Sequence, residues 1–560
     1  MDKQYFFERN LLALSRAGGD LCSRLSGAET TLNRYKFLTA RSGEEVPALV
    51  DPSGAAHPLH SLVDPRREGR RIAESVKGGG FLIILGLGGG FHAAAVLEQE
   101  DFDRVLVIDY DINGMAELLC SGDYVPLFKD PRFYLLADPS PKEIEDAVLA
   151  LYQPVLSGGI RVLPLRSRTA LDNRTFLEAG RIIEGAIEKV SADYSVQAYF
   201  GKRWFSNILR NLPRAAEFTP PLPPIGRAAV SAAGPSLDRQ LPLLKKKRGE
   251  LFLLAADTSL PKLLSEGIRP DGVVSIDCQH ISYYHFMAGL PPETLLFVDL
   301  ASPPLIASCS LRPRFFSGGH PLTRYISRHW RSLPEVDSSG ANVAYAALSL
   351  ACELGAREIE LYGADFSYPL GLSYARGCYI YPFFEKQQNR LKPLEAQASA
   401  FIYRGPLEKK TREDGLWYYE TKSLGFYRRG LEEKARTTDR RIIPIPGMGA
   451  PIHIEPQPEA PRPPRTITLF ASGKPRTAPR EFLETYRDGI KKLPAEEQRA
   501  SRYLEGLTGE EHSLFMTLLP GAAALKRREP ALPFPELIKK IRASSINEIN
   551  RVLLAGFQDF

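Results

Sequence analysis

Short apolar runs alternate with helical patterns through the middle of the chain, and this alternation constrains the fold more than any other feature. Each run is four or five residues long, and small or polar residues follow within a few positions. Strands that alternate with helices are typical of a parallel sheet wound on both faces. The sequence therefore predicts a doubly wound α/β domain over residues 225–453, with strands at Ala228–Ser231, Leu251–Leu254, Gly272–Ile276, Leu295–Val298 and Glu358–Leu361.

Two proline-rich segments, Thr219–Pro224 and Glu455–Pro464, divide the chain around this domain. Proline fixes φ and removes a backbone donor, so neither segment is expected to form a helix or a central strand. The remaining regions are predicted as a helical lead-in over 1–60, a Rossmann-like domain over 61–218 and a helical domain over 465–560. Within the lead-in, the expected helices are Phe6–Ala17 and Glu29–Thr39.

The composition is that of an ordinary globular protein. Of 560 residues, 44% are hydrophobic and 25% are charged, which excludes a disordered or fibrous chain. A net charge of +6 over this length gives no electrostatic reason to expect a nucleic-acid partner. The six cysteines form no C-x-x-C pair, and the charged start Met1-Asp2-Lys3 lacks a secretory pattern, so a cytoplasmic protein is expected.

The segment from Gly78 to Leu97 carries no charged residue over about the length of a membrane span. It contains seven glycines, each of which weakens a helix by ~1 kcal/mol. We therefore expect a strand, a tight loop and the start of a helix there, and no membrane insertion.

The loop Gly86-Leu87-Gly88-Gly89-Gly90 follows the first of these strands and opens a helix, and the next strand ends in Asp109. Glycines allow a phosphate to approach the backbone, and an acid about 20 residues later is placed to bind a ribose diol. Gly86, Gly88, Gly90 and Asp109 are thus candidate ligand residues for a dinucleotide or S-adenosylmethionine. The alternative is that the glycines serve only the tight turn.

Polar residues appear repeatedly where the strands of the central domain stop. Parallel strands end at one edge of a sheet, where open α/β sheets bind ligands, so these residues are candidates for a nucleotide site. An aspartate after a strand is otherwise a common turn former or helix cap. The candidates are Gly234, Ser236, Asp257, Asp277, Gln279 and Asp365.

Two further segments fit an anionic ligand. Ser338-Ser339-Gly340 precedes an apolar helix, and a helix start with hydroxyls and free N–H groups suits a phosphate. Ser338 is alternatively a simple N-cap. The loop Tyr368–Gly377 is rich in aromatic residues, and its phenols either hydrogen-bond to a leaving phosphate or only pack the loop.

Together these motifs resemble a known family. Ala233-Gly234-Pro235-Ser236-Leu237-Asp238, Ser339-Gly340, Leu361–Phe366 and Ser373–Gly377 are similar to the MptE-like domain of the motility-associated factor (Maf) proteins, which are flagellin glycosyltransferases. The order of the regions is also similar, so the resemblance covers nearly the whole chain. It implies a soluble transferase that modifies serine or threonine of flagellin and supports flagellar assembly and motility.

The central domain also resembles bacterial sialyltransferases that use a CMP-activated nonulosonic acid. This resemblance implies that Gly234, Ser236, Asp257, Asp277 and Gln279 hold the nucleotide and that Ser339 and Gly340 lie near its ribose or phosphate. It further implies that Tyr374 stabilises the departing CMP. No metal and no other cofactor is expected.

The general base is left open by the resemblance. The catalytic histidine of the sialyltransferases falls near Thr421, and no histidine lies there. Glu420, Asp365 and His320 are the candidates for this base. His280 and His285 are equally consistent with two loop histidines whose hydrogen bonds are satisfied.

Two other functions remain open from the sequence. The first is a diphosphokinase of the MptE-like type. Such an enzyme would be expected to carry two aspartates separated by one residue, where this chain has Asp277-Cys278-Gln279. The second is a nucleotide-binding flagellin adaptor without turnover.

Overall fold

The computed structural model describes residues 3–15, 19–30, 33–455, 470–494 and 499–555. The chain divides into two compact units. The first comprises Met1–Tyr199, Pro494–His512 and Leu519–Ile541, and the second comprises Phe200–Leu493, Ser513–Leu518 and Arg542–Phe560.

The elements as far as residue 215 follow in chain order. They are α1 (Lys3–Leu14), α2 (Gly19–Ser26), β1 (Tyr35–Thr39), β2 (Glu45–Val50), β3 (Ala56–Pro58), α3 (Pro65–Ser75), β4 (Gly80–Leu85), α4 (Phe91–Glu98), β5 (Phe102–Asp109), α5 (Ile112–Ser121), α6 (Val125–Phe128), β6 (Phe133–Ala137), α7 (Pro141–Leu151), α8 (Pro154–Ser157), β7 (Ile160–Pro164), α9 (Arg166–Thr169) and α10 (Asn173–Ala215).

The later elements begin with β8 (Arg227–Ser231). They continue with α11 (Leu237–Lys247), β9 (Phe252–Ala256), α12 (Leu260–Ser265), β10 (Gly272–Ser275), β11 (Leu295–Asp299), α13 (Pro304–Ala307), β12 (Arg314–Phe316), α14 (Pro321–His329), α15 (Val343–Glu353), β13 (Glu358–Tyr362), β14 (Tyr368–Pro369), α16 (Ile380–Gln387), α17 (Leu394–Ile402), β15 (Glu408–Thr411), β16 (Trp417–Glu420), α18 (Lys422–Thr437), β17 (Arg441–Pro444), α19 (Pro479–Lys492), α20 (Ala500–Gly506), α21 (Gly509–Met516), α22 (Leu519–Arg528) and α23 (Phe534–Ala555). Short 3-10 helices lie at Asp257–Ser259 and His280–Phe286.

The first unit is built around a parallel four-stranded sheet of order β6-β5-β4-β7. Alternate residues of β4 pack into two different cores, because successive side chains of a strand point to opposite faces. Leu82 and Ile84 join one core with α4 and α5, and Phe81 and Ile83 join the other with α7 and α10. The predicted Rossmann-like sheet is confirmed.

The helix expected at Glu29–Thr39 is wrong, so residues 1–60 are not helical throughout. Residues Tyr35–Thr39 form strand β1, which pairs antiparallel with β2, and β3 completes a three-stranded sheet. Tyr35 packs into the core beside β4, and this tertiary contact outweighs the weak local helical pattern. Ala17, the predicted end of the first helix, lies outside the described residues.

The second unit contains a parallel seven-stranded sheet of order β12-β11-β10-β9-β8-β13-β17. The central strands are buried along almost their whole length, as expected where helices cover both faces. Val230, Leu254 and Val274 pack on one face against α15, while Leu241 and Leu244 of α11 are also buried. The predicted doubly wound parallel sheet is confirmed.

Both edge strands of this sheet were missed by the sequence analysis. They are short and begin with an arginine, at Arg314 in β12 and Arg441 in β17. They have only three and four residues, so the apolar run in each is too short to stand out in the sequence. A small antiparallel sheet of order β14-β16-β15 lies in the same unit.

The predicted C-terminal helical region is confirmed from α19 onward, within the described residues. Its helices divide between the two compact units. Most of the second proline-rich segment, from residue 456, lies outside the described residues.

Candidate functional site

The strand order reverses between β8 and β13 of the seven-stranded sheet. Strands β9 to β12 follow one another on the side of β8, whereas β17 lies beyond β13 on the other side. Connections that leave neighbouring parallel strands in opposite directions open a crevice, and open α/β sheets bind ligands there. The loops at this crevice contain Gly234 and Ser236 after β8 and Asp365 after β13.

The Asp365 carboxylate holds these loops together. Its Oδ2 accepts a hydrogen bond from the Ser236 N–H at 2.8 Å, and its Oδ1 accepts one from the Gly449 N–H at 3.0 Å. The Ser236 hydroxyl donates to the same Oδ1. Burial raises the pKa of Asp365, and the hydrogen bonds from Ser236 and Gly449 oppose that rise. Asp365 is 4% exposed, and its carboxylate accepts three hydrogen bonds. It is therefore suited to anchoring the loops and poorly suited to accepting a proton as a base.

The Ser236 hydroxyl is committed inside the protein. It donates to Asp365 and accepts a hydrogen bond from the Met448 N–H at 2.6 Å, and it makes no cap bond to α11. Gly234 is required by close packing, since a Cβ there would lie 2.4 Å from Asp365 Oδ2. A Cβ on Gly449 would lie 2.5 Å from the Asp365 Cα. These glycines and Ser236 therefore shape the crevice through backbone contacts.

Two aspartates follow the neighbouring strands β9 and β10. Asp257 is 1% exposed and accepts hydrogen bonds from the Ser275 hydroxyl and the Thr258 N–H, both at 2.7 Å. Burial raises the pKa of Asp257. Asp277 is only partly buried and accepts a hydrogen bond from the Gln279 N–H at 2.9 Å. Asp277 and Gln279 are thus the members of this set that a ligand can reach.

Tyr374 lies in a loop that is tied to the crevice. The next residue, Ala375, donates its N–H to the Ala233 carbonyl at 2.9 Å. The Tyr374 ring packs against Tyr379 and Phe401, each at a centroid distance of 6.1 Å. Burial raises the pKa of Tyr374, so its phenol stays protonated and able to donate a hydrogen bond.

Ser339 and Gly340 have a different set of contacts from the other candidates. The Ser339 hydroxyl donates to Asp337 at 2.6 Å, and Lys434 and Tyr345 also bind Asp337. The N-cap of α15 is Asn342, so Ser338 does not cap this helix. The structure places this segment at the start of α15 without contact to the Asp365 network.

Glu420 is held in an ion-pair cluster. Lys410 approaches it to 2.5 Å and Arg428 to 3.3 Å. Burial alone would raise the pKa of Glu420, but the hydrogen bond from Lys410 and the charge of Arg428 outweigh it and lower the pKa. A carboxylate stabilised in this way is a weak proton acceptor.

His320 lies at the ends of β11 and β12, beside a buried aspartate that the sequence analysis did not single out. Its Nε2 is 3.8 Å from Asp299 Oδ2, and its ring lies 4.4 Å from the ring of Trp204. Asp299 is 1% exposed and ends β11 in the same way that Asp257 follows β9. The strand-end rule applied to Leu295–Val298 would have found it.

The glycine loop of the first unit is filled by the protein itself. The Leu87 N–H donates to Asp109 at 2.7 Å, and the Gly89 N–H donates to His60 Nε2 at 2.9 Å. Gly88 has φ +51°, and a Cβ there would lie 2.6 Å from His60 Nε2. His60 thus lies where an anion would approach this loop, which favours the tight-turn alternative over a ligand loop at Gly86, Gly88 and Gly90.

Asp109 is engaged in a buried ion pair. The Arg168 Nε lies 2.9 Å from its Oδ1, and the two side chains are 3% and 1% exposed. Burial raises the pKa of Asp109, and the charge of Arg168 opposes this rise. No ribose diol can reach this carboxylate without displacing Arg168 or the Leu87 backbone.

The burial of His92 predicts that acid lowers the folding stability of the protein. Its Nε2 lies 3.2 Å from the Gly86 carbonyl oxygen, and burial lowers its pKa to about 3. The unfolded chain takes up this proton near the ordinary histidine pKa, about 6.5. The stability is therefore fully present above that pKa and is lost as the pH falls through it, by about 2 kcal/mol between pH 7 and 5.

Urea unfolding at pH 5, 6 and 7, followed by circular dichroism, measures this slope. His92→Gln should flatten it, because glutamine does not titrate. His512→Gln is the matched control, because it removes an exposed histidine from helix α21. An equal slope in wild type and His92→Gln would contradict the assignment.

Within residues 3–555, apart from the gaps named above, no group of three or more His, Cys, Asp or Glu is arranged to hold a metal ion. None of the described helices combines the length and the apolar character that crossing a bilayer requires.

This chain is similar to known proteins in sequence and in fold. The family model described as 6-hydroxymethylpterin diphosphokinase MptE-like matches residues 204–371. An uncharacterized protein of Treponema pallidum (strain Nichols) is 31% identical over 164 residues, which cover 29% of this chain and 78% of that protein. A second uncharacterized protein of the same organism is 35% identical over 153 residues, and the match spans about half of its length, 54%.

Among solved structures, a MAf glycosyltransferase from Magnetospirillum magneticum AMB-1 has the same fold. Its TM-score is 0.61 at 13% identity, with 100% of this chain and 98% of that chain covered. The predicted MptE-like domain is confirmed over residues 204–371, and the predicted likeness to the Maf proteins is confirmed for the fold.

Proposed function

This chain belongs to the same family as the first of these Treponema pallidum proteins, and, because its MptE-like domain lies within the fold of a Maf glycosyltransferase, we propose that it is a glycosyltransferase. In this proposal the donor is a CMP-activated nonulosonic acid. The acceptors are serine and threonine hydroxyls of flagellin, modified in the cytoplasm. The protein would thereby support flagellar assembly and motility.

One observation carries the proposal. The hydrogen bond from the Ala375 N–H to the Ala233 carbonyl ties the backbone next to Tyr374 to the loop that follows β8, where the strand order reverses. A phenol whose pKa is raised by burial remains a donor at neutral pH. A donor held at this crevice is suited to the negative charge that develops on a departing nucleotide phosphate.

The other residues of the crevice have distinct parts in this proposal. Asp277 and Gln279 are partly exposed, and in this proposal they contact the nucleoside. Asp365 and Ser236 fix the loops that surround it. The transfer is a single displacement in which the acceptor oxygen attacks the anomeric carbon as CMP leaves, and we propose that it needs no metal ion.

A diphosphokinase is the second candidate, because the matching family model carries that description. Asp257, Asp277 and Asp299 also follow or end three adjacent strands, although among the described residues these carboxylates are not grouped closely enough to hold a metal ion. Asp257 and Asp299 are each 1% exposed, so the diphosphokinase hypothesis requires the site to open.

Calorimetry with CMP, CMP-N-acetylneuraminate and ATP–magnesium separates the candidates. We expect micromolar binding of CMP and the CMP-sugar and weaker binding of ATP–magnesium. Intact-mass analysis of purified flagellin after incubation with the CMP-sugar then tests transfer. Preference for ATP–magnesium would support the diphosphokinase, whereas CMP binding without a change in flagellin mass would support a nucleotide-binding adaptor.

A further inference from the structure

A buried histidine without a hydrogen-bond partner lies near the ends of β9 and β10. His285 belongs to the 3-10 helix His280–Phe286 and is 6% exposed. Among the residues that the structure describes, none forms a hydrogen bond with its buried Nδ1, and the nearby Ser282 hydroxyl is likewise buried and unpartnered. Buried polar groups are nearly always paired, so two such groups on one short helix indicate a place for a ligand.

The surroundings of His285 connect it to the proposed site. Its ring meets the Tyr379 ring edge-on at 4.3 Å and 86°, and Tyr379 in turn contacts Tyr374 at 6.1 Å. Asp257 is close enough for the charge of His285 to oppose the burial-driven rise in the pKa of Asp257. Burial raises the pKa of Tyr379, and the charges of Asp257 and Asp277 also help to raise it.

We propose that His285 is the catalytic base of the transfer, an inference that rests on the proposed glycosyltransferase function. The acceptor oxygen forms a bond to the anomeric carbon of the donor, and its proton moves to a ring nitrogen of His285. The bond between that carbon and the phosphate oxygen breaks, and its electron pair leaves with CMP. His285 later releases the proton to water.

The other candidate bases are less available. Asp365 already accepts three hydrogen bonds, and Glu420 is paired with Lys410 and Arg428. His320 lies against Trp204 and Asp299. His285 has a buried ring nitrogen without a hydrogen-bond partner among the described residues and an edge-on contact with Tyr379. At 6% exposure it takes up the acceptor proton once the site opens.

The test compares His285→Gln with His280→Gln in the full chain. His280 is the matched control, because it lies on the same short helix but is exposed. With CMP-N-acetylneuraminate and flagellin, we expect His285→Gln to lower kcat about 100-fold, the usual range for loss of an acid–base group, with KM for the donor changed less than about threefold. The acidic limb of the pH profile should disappear, and imidazole should restore part of the rate to His285→Ala. His280→Gln should behave as wild type.

The outcomes separate the base from the function. If wild type transfers sugar and His285→Gln keeps its kcat within about threefold with an unchanged pH profile, His285 is not the base although the function stands. If wild type neither binds CMP nor releases it from the donor, the proposed function itself fails.

If His285→Gln does not fold, NMR of the wild-type protein with labelled histidine provides the test. The histidine signal with a nuclear Overhauser effect to Tyr379 should then shift on addition of CMP, and an unmoved signal would overturn the proposal.

Discussion

Replacing Arg168 with methionine should lower the free energy of unfolding by about 3–5 kcal/mol, the usual cost of removing one partner of a buried ion pair. The pair is nearly inaccessible, at 3% and 1% exposure, and its atoms lie 2.9 Å apart. Methionine preserves most of the volume but leaves Asp109 without its counter-charge. Urea unfolding of the full chain at pH 7 measures the loss.

The pH dependence of this loss identifies its cause. Burial raises the pKa of Asp109, and removing Arg168 raises it further. The folded variant then binds a proton more readily than the unfolded chain does, so the loss should shrink between pH 7 and 5. Arg166→Met is the matched control, since Arg166 is exposed on the same short helix α9. A loss below 1 kcal/mol for Arg168→Met would show that the pair contributes little.

Replacing Asp365 with alanine should lower the free energy of unfolding by about 3 kcal/mol and weaken CMP binding at least tenfold. Alanine leaves two backbone N–H groups and one hydroxyl without their acceptor, and each buried unpaired group costs about 1–3 kcal/mol. The loops around residues 236 and 449 would lose their common anchor, and with it the shape of the crevice.

Urea unfolding measures the stability change, and calorimetry with CMP measures the binding change. Asp439→Ala is the control, because Asp439 is 65% exposed in its side chain and pairs only with its neighbour Arg440. Stability within 0.5 kcal/mol of wild type for Asp365→Ala, the usual range for surface substitutions, would refute the anchoring role. Unchanged CMP affinity in a destabilised variant would separate the anchor from the binding site.

The central strands were predictable because they are buried on both faces and therefore apolar throughout. The runs that begin at residues 228, 251 and 272 could be recognised without reference to the strands that they pair with. The edge strands at Arg314 and Arg441 carry little of this signal. Strand β1 depends on pairing with β2, a tertiary contact that its own residues do not encode.

The positions of the site loops were predictable, but the roles of their side chains were not. The positions of Asp257, Asp277 and Asp365 after predicted strands located them at one edge of the seven-stranded sheet. Whether such a carboxylate is free or paired depends on residues far away in sequence. Asp365 is paired with Ser236, and Glu420 with Lys410 and Arg428. For the same reason, no local pattern distinguished the buried His285 from the exposed His280.

The reversal of strand order has a consequence for how the protein folds. The two residues of the Asp365–Ser236 contact are 129 positions apart, and Met448, which closes the same network on Ser236, is 212 positions from it. Long loops must close before such contacts stabilise anything, so proteins rich in them fold slowly. During synthesis, strands β8 to β12 are complete well before β13 arrives, which leaves one side of β8 unpaired on the growing chain. A partly made chain is then at risk of aggregation through that edge.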